Sequence, residues 1–272
     1  MTLCAIRTLF DYRTKKDATM AVKERDMMGS LAKGLKVIEA FSAENSRLSI
    51  SEAATISGLD RATTRRCLLT LSELGYAAYD GKFFTLTPRV LRLGTGCLAA
   101  MPLPRIVQPM LDTLSEEIGQ STSVSVLDET EIVYVARAAQ RRVMSIALMP
   151  GSRLPAYCTS MGRVLLASLE PAKRREVLEA SQRVVRTEKT VTDIDALMEE
   201  LDVTSSRGYA LIDQEVEIGL RSIAVPLKTV RGVTVAALNV GMSSNGTSMN
   251  DITQQYLAPL LKVQSELGRM LV

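Results

Sequence analysis

Apolar positions in the first third of the chain recur at helical spacing in three successive runs. Leu31, Leu35, Val37, Ile38, Ala40 and Phe41 predict a first amphipathic helix. Ser51 to Ile56 predicts a short second helix with Ser51 as its N-cap. It is ended by Gly58, which adopts the left-handed conformation cheaply. Leu59 then fills a turn, and Asp60 caps a third helix to about Leu74 whose buried stripe is Thr64, Cys67, Leu68, Leu71 and Leu74. The pattern changes at Tyr79-Asp80-Gly81-Lys82-Phe83-Phe84, where Asp-Gly between short aromatic-rich runs signals a tight hairpin. Three helices and a two-stranded wing make a winged helix-turn-helix over residues 29–88.

Arg89 to Leu93 starts a linker helix that loosens at Gly94-Thr95-Gly96 and breaks at Met101-Pro102-Leu103-Pro104, so residues 89–104 divide two domains. An amphipathic helix follows from about Arg105 to Ile118, bent by Pro109. Residues 105–272 then alternate between periods. Ser121 to Leu127 and Ile132 to Ala138 flank a turn at 128–131, and a third strand is expected at Met144 to Met149. After a loop at 150–155, helices are expected near Ser160, Pro171 to Ala180 and Asp193 to Ser205. Strands return at Tyr209 to Ile212, Arg221 to Thr229 and Val233 to Gly241, before a closing helix from Met249 to Leu271. Antiparallel hairpins with interspersed helices define an α+β sheet domain covered by helices on at least one face.

Composition narrows the chemistry. The 272 residues are 46% hydrophobic, enough for two cores, and no apolar run approaches the roughly 20 residues that cross a bilayer. Residues 1–28 read as a loosely ordered arm with no secretory signal, and Met20 and Met27 are alternative starts. A cytoplasmic protein is expected. The four cysteines, at 4, 67, 97 and 158, form no C-x-x-C pair, and the chain has no histidine, so neither a metal site nor a cofactor is expected. The missing histidine also removes Ser-His and Cys-His nucleophiles. Net charge is +3; residues 1–90 hold 14 Lys and Arg against 10 Asp and Glu, so the basic excess sits in the N-terminal part of the chain that includes the winged helix.

The third helix opens with Arg61, Thr63, Thr64, Arg65 and Arg66, whose guanidinium forks and hydroxyls suit base edges and phosphates in a DNA major groove. Ser51 on the preceding helix and Lys82 on the wing complete the expected contact set. The bland reading of the same residues is a helical hairpin with solvated arginines.

Two longer runs carry a specific resemblance. Arg153-Leu154-Pro155-Ala156-Tyr157-Cys158-Thr159-Ser160-Met161-Gly162-Arg163-Val164-Leu165-Leu166-Ala167 and Asp213-Gln214-Glu215-Val216-Glu217-Ile218-Gly219-Leu220-Arg221-Ser222-Ile223-Ala224-Val225-Pro226-Leu227 resemble the signature segments of the IclR family of bacterial transcriptional regulators. Leu31 to Leu35, Arg65 to Leu68 and Leu154 to Gly162 are similar to its branch that senses protocatechuate, β-ketoadipate or 4-hydroxybenzoate. The resemblance implies a GAF-like effector domain, assembly as a dimer or dimer of dimers, and an operator on double-stranded DNA. It also implies a small organic acid as effector, aromatic or derived from ring cleavage.

The resemblance places the effector carboxylate at the N–H groups of Ser160 and Met161, with Asp213, Ser222 and Asn239 as further lining. On physical grounds a helix starting at Thr159-Ser160-Met161-Gly162 presents free N–H groups and a positive dipole end to an anion. Arg137 is either a second charged contact or an edge-strand arginine in solvent, and Tyr157 suits stacking on an aromatic acid. The bland alternatives are tight helix packing at Gly162 and a solvated acidic loop at 213–217. Two functional classes follow: a ligand-controlled DNA-binding regulator, and a small-molecule enzyme of the effector-domain type with an accessory winged helix. The lack of a nucleophile constellation disfavours the second.

Overall fold

The computed structural model describes residues 26–42, 45–140, 148–245 and 248–271, the side chains of 97–99 excepted. These form two compact units that divide between Ala100 and Met101, within the stretch where paired prolines predict a break.

The first unit contains α1 (Gly29–Glu39), α2 (Ile50–Ser57), α3 (Arg61–Glu73), β1 (Ala77–Tyr79), β2 (Phe84–Leu86), a 3-10 turn (Pro88–Val90) and α4 (Leu91–Ala100). The cap of α2 is Ser49 rather than Ser51. The Ser49 hydroxyl accepts from the Glu52 N–H at 3.3 Å, and the Glu52 carboxylate accepts from the Ser49 N–H at 2.7 Å. Ser51 has alanine three residues on and cannot close such a reciprocal pair, which decides the start. At the other end Gly58 has φ 67, and Asp60 caps α3 by accepting the Thr63 N–H at 2.8 Å.

Val37, Ala40, Leu48, Ala53, Leu68, Leu71, Ala77 and Phe84 make the core of this unit. Leu31, Leu35 and Leu74, expected inside, are exposed. Only the C-terminal turns of α1 enter the core, and Leu74 lies beyond the last turn of α3. Cys67 is half-buried against the core rather than within it. An isolated bridge between Leu48 and Phe84 adds a third extended segment to the β1–β2 wing. The helix α4 runs unbroken through Gly94 and Gly96, where the composition had suggested loosening.

The second unit opens with α5 (Pro102–Ile118), which starts before Arg105. Pro102 occupies the first turn, where no intrahelical N–H is needed, and extended Met101 ends α4. The remaining elements are β3 (Ser121–Asp128), β4 (Glu131–Ala138), β5 (Arg153–Pro155), α6 (Ser160–Ala167), α7 (Pro171–Ala180), α8 (Ile194–Arg207), β6 (Ala210–Asp213), β7 (Leu220–Lys228), β8 (Thr234–Ser243) and α9 (Met249–Gly268). Residues 153–155, expected as loop, pair with β4 as an edge strand. Of the strand expected at 144–149, residues 144–147 lie outside the described residues, and Leu148 and Met149 are irregular.

The six strands form one antiparallel sheet in the order β5-β4-β3-β8-β7-β6. Helices cover both faces. Leu111 and Leu114 of α5, with Ile252, Leu260 and Leu267 of α9, pack on Val124, Val225 and Leu238. On the other face Met161, Val164 and Leu166 of α6, with Leu197 and Leu201 of α8, pack on Tyr134, Ala224 and Ala237. Every residue of α6 is buried, so this helix has no solvent face.

Candidate functional site

In the first unit α3 separates into two faces. Thr64, Leu68 and Leu71 point inward at helical spacing, while Arg61, Arg65 and Arg66 are exposed. Two of the expected DNA contacts are thereby corrected. Thr63 and Thr64 are buried, and the Thr64 hydroxyl donates to the carbonyl of the cap residue Asp60 at 2.9 Å, so neither side chain lies on the exposed face of α3. Ser51 is exposed on α2, and Lys82 is exposed at the wing tip. Asp80 organises that tip: its Oδ1 accepts the N–H groups of Phe83 and Lys82 at 2.8 and 2.9 Å, holding its carboxyl below the usual carboxylate range. Arg47, which the pattern of the sequence did not single out, reaches the same turn. It donates to Asp80 Oδ2 at 2.6 Å and lies over the Phe83 ring at 4.2 Å.

In the second unit the sheet face under α6 is apolar at one end and polar at the other. The registers Ser123↔Arg137, Ser123↔Asn239 and Ser222↔Gly241 bring β4, β3, β8 and β7 together at the polar end. Between this end and the start of α6 lies a small cavity that opens to solvent. Arg137, Thr159, Ser160, Met161, Ser222 and Asn239 line it, with Tyr134, Leu154, Ile212, Val216 and Leu220 supplying apolar walls.

The start of α6 is held tightly. Thr159 Oγ1 caps the helix by accepting the Gly162 N–H at 3.1 Å and donates to the Pro155 carbonyl at 3.1 Å. A Cβ on Gly162 would lie 2.1 Å from the Ala156 carbonyl oxygen, so only glycine lets the helix approach that loop. The N–H groups of Ser160 and Met161 come before the first intrahelical bond, which belongs to Arg163. Among the described residues two buried side-chain polar atoms lack hydrogen-bond partners, Ser160 Oγ and Asn239 Oδ1, and both residues belong to the lining of this cavity. Arg137 Nη1 donates to the Ser123 hydroxyl at 2.9 Å, and among the described residues its guanidinium has no ion-pair partner. Burial opposes its positive charge. Burial also pushes the Tyr134 phenol up to about 12, keeping it neutral.

Tyr157 and Asp213 are corrected. The Tyr157 hydroxyl donates to the Val184 carbonyl at 2.6 Å and the side chain packs in the core, outside the lining of the cavity. Asp213 accepts from Lys189 and Arg221 at 2.5 and 2.6 Å outside the lining. Burial opposes its charge, but the hydrogen bonds from Lys189, Arg221 and Gln214 outweigh that and hold the carboxyl at about 2.

A buried ion pair also escaped sequence reading. Arg163, 2% exposed, donates to the Tyr157 carbonyl at 2.6 Å and through Nη2 to both oxygens of Glu215, at 2.9 and 3.2 Å. Burial raises the Glu215 pKa against the opposing charge of Arg163. The available signal was an arginine inside an otherwise uncharged helix, which demands a buried acid from elsewhere. Among the described residues no group of His, Cys, Asp and Glu could hold a metal ion, and no helix is long and apolar enough to cross a membrane.

The IclR helix-turn-helix domain matches residues 30–81, and the bacterial transcriptional regulator IclR C-terminal domain matches residues 95–269. The chain is 40% identical over 247 residues to the Pca regulon regulatory protein of Pseudomonas putida, covering 90% of this chain and 85% of that protein. It is 34% identical over 264 residues to the p-hydroxybenzoate hydroxylase transcriptional activator of Acinetobacter baylyi, covering 95% and 97%. A solved inducer binding domain of a PobR double mutant from Acinetobacter, in complex with 3-hydroxybenzoic acid, aligns with TM-score 0.59 and 34% identity. It covers 63% of this chain and 100% of that one.

Proposed function

The chain belongs to the IclR family of bacterial transcriptional regulators, and we propose that it is a cytoplasmic, dimeric regulator of aromatic-acid catabolism with its effector cavity under α6. The matched domains and relatives are those of ligand-responsive regulators, not enzymes. The single observation that carries the effector reading is the convergence of Ser160 Oγ and Asn239 Oδ1, both buried and unpartnered, on a cavity that also holds Arg137 and the open end of α6. Buried polar atoms normally have partners, so this cavity is built for a polar occupant. A carboxylate suits the two N–H groups and the guanidinium, while the apolar walls suit a ring. The names of the relatives point the same way, to hydroxybenzoate chemistry.

DNA is read by the exposed face of α3, with Arg61, Arg65 and Arg66 toward the major groove and Ser51 and Lys82 flanking it. Pairing of two copies gives two readers on a pseudo-palindromic site about one helical turn apart, where the effective concentration of the second reader strengthens the first.

Calorimetry of the full chain with 4-hydroxybenzoate, 3-hydroxybenzoate and protocatechuate tests the cavity. Ser160→Phe fills the space in front of the helix and abolishes binding with the fold intact. Arg137→Ala costs about 1.5–3 kcal/mol of affinity if it holds the carboxylate, and Asn239→Ala about 0.5–1.5 kcal/mol. Ligand binding unchanged by Ser160→Phe places the effector elsewhere. Arg65→Ala and Arg66→Ala each weaken binding to the cognate operator by about 1–3 kcal/mol if bidentate to guanine. An unchanged affinity in both removes α3 as the reader.

A further inference from the structure

The wing tip carries an acid, Asp80, two residues before Lys82, the exposed lysine that flanks α3 in the DNA reading above. An uncompensated carboxylate there would repel the DNA backbone. Asp80 is saturated on one oxygen by the turn it closes, through the N–H groups of Phe83 and Lys82. Its other oxygen is taken by Arg47, 33 positions earlier in the chain. The same guanidinium lies over the Phe83 ring at 4.2 Å, and the Lys82 ammonium lies 5.0 Å from that ring's centroid. The backbone brings Arg47 there: its neighbour Leu48 exchanges hydrogen bonds with Phe84 in both directions, at 3.0 and 2.8 Å.

We propose that Arg47 is a positioning residue for DNA binding, which neutralises Asp80 and holds the Asp80–Phe83 turn so that Lys82 is presented to a phosphate. This rests on the reading of the first unit as the DNA-binding unit. The pair is not there for stability. Arg47 and Asp80 are 57% and 48% exposed, and ion pairs so open to water contribute little to folding. Nor is Arg47 placed as an independent phosphate contact, since its charge is spent on Asp80 and its flat face on Phe83.

The test is a double-mutant cycle on the full chain, using a DNA duplex selected from a random library by the unmodified protein. At 0.15 M salt, loss of one phosphate contact weakens binding about fivefold and makes the dependence of log affinity on log salt shallower by about one unit. Lys82→Ala is expected to show both effects. Arg47→Ala is expected to give a similar loss with an unchanged melting temperature, and in a background carrying both Lys82→Ala and Asp80→Asn, where neither the lysine nor a bare carboxylate remains for it to act through, no further loss. Additive losses, with the salt slope falling by about one unit for each residue, would overturn the proposal and make Arg47 a direct contact. An Arg47→Ala protein that binds like the parent, or that melts well below it, would overturn it too. So would an unchanged affinity for Lys82→Ala. Arg65→Ala and Arg66→Ala keep the two levels apart: if they also bind like the parent, the DNA-reading face itself is misassigned.

Discussion

The helices α3 and α6 begin with the same local device and put it to opposite uses. Asp60 and Thr159 each accept the N–H of the third residue on, fixing the first turn. On α3 the next side chains out are arginines in water, and the helix offers its chemistry as exposed, mobile charge. On α6 everything is buried, and the chemistry lies in backbone N–H groups, a hydroxyl and an amide held around a cavity. An exposed charge is screened by solvent and salt, so each arginine contributes modestly and the face works by adding several. A buried polar group is expensive to leave unpaired, so a few atoms suffice to specify a ligand. The first unit is suited to a long polyanion and the second to one small molecule.

The sharpest way to break this contrast is to remove a charge from each helix. Arg163→Ala leaves Glu215 buried without its partner, and the second unit is expected to lose about 3–5 kcal/mol by urea unfolding. Arg65→Ala on α3 is expected to change stability by less than about 0.5 kcal/mol. Equal effects of the two would mean that burial does not separate the helices energetically. Replacing the pair together, Arg163→Met with Glu215→Leu, is expected to recover most of the loss, since it is the orphaned charge that costs.

Acid sharpens the comparison further. The Asp213 carboxyl is depressed to about 2 in the folded chain, from 3.8, so its contribution is present above the unfolded value and is lost as pH falls through the folded one. Between pH about 4 and 2 the second unit is expected to lose up to about 2 kcal/mol, and Asp213→Asn to flatten that part of the curve. Unfolding with the same acid slope in both proteins would show that Lys189 and Arg221 do not hold the charge. The smallest effect concerns the capping of α2. Ser49→Ala is expected to cost about 1 kcal/mol in thermal unfolding of the first unit and Ser51→Ala close to nothing; the reverse order would restore Ser51 as the cap.

Much of this molecule is written locally. Asp60, Gly58, the Asp80-Gly81 turn and the alternation at Ser121 to Ala138 each act within a few residues, through a cap, a left-handed glycine or a period. These features located α3, the wing and the central hairpin from sequence, together with the helix start at Ser160. The tertiary structure decided what lies next to what. Whether Leu31 is inside depends on how far α1 reaches past its neighbours, and whether Thr64 meets DNA or the Asp60 carbonyl depends on which way the helix faces. The pairing of β3 with β8 sets Asn239 beside Ser123 and Arg137, and the fold of the 213–217 segment buries Glu215 against Arg163. Hydrogen bonds and periodicity are short-range and leave their mark on consecutive residues. Burial and strand pairing join residues from tens to more than a hundred positions apart, and no local pattern encodes which distant group will supply the missing partner.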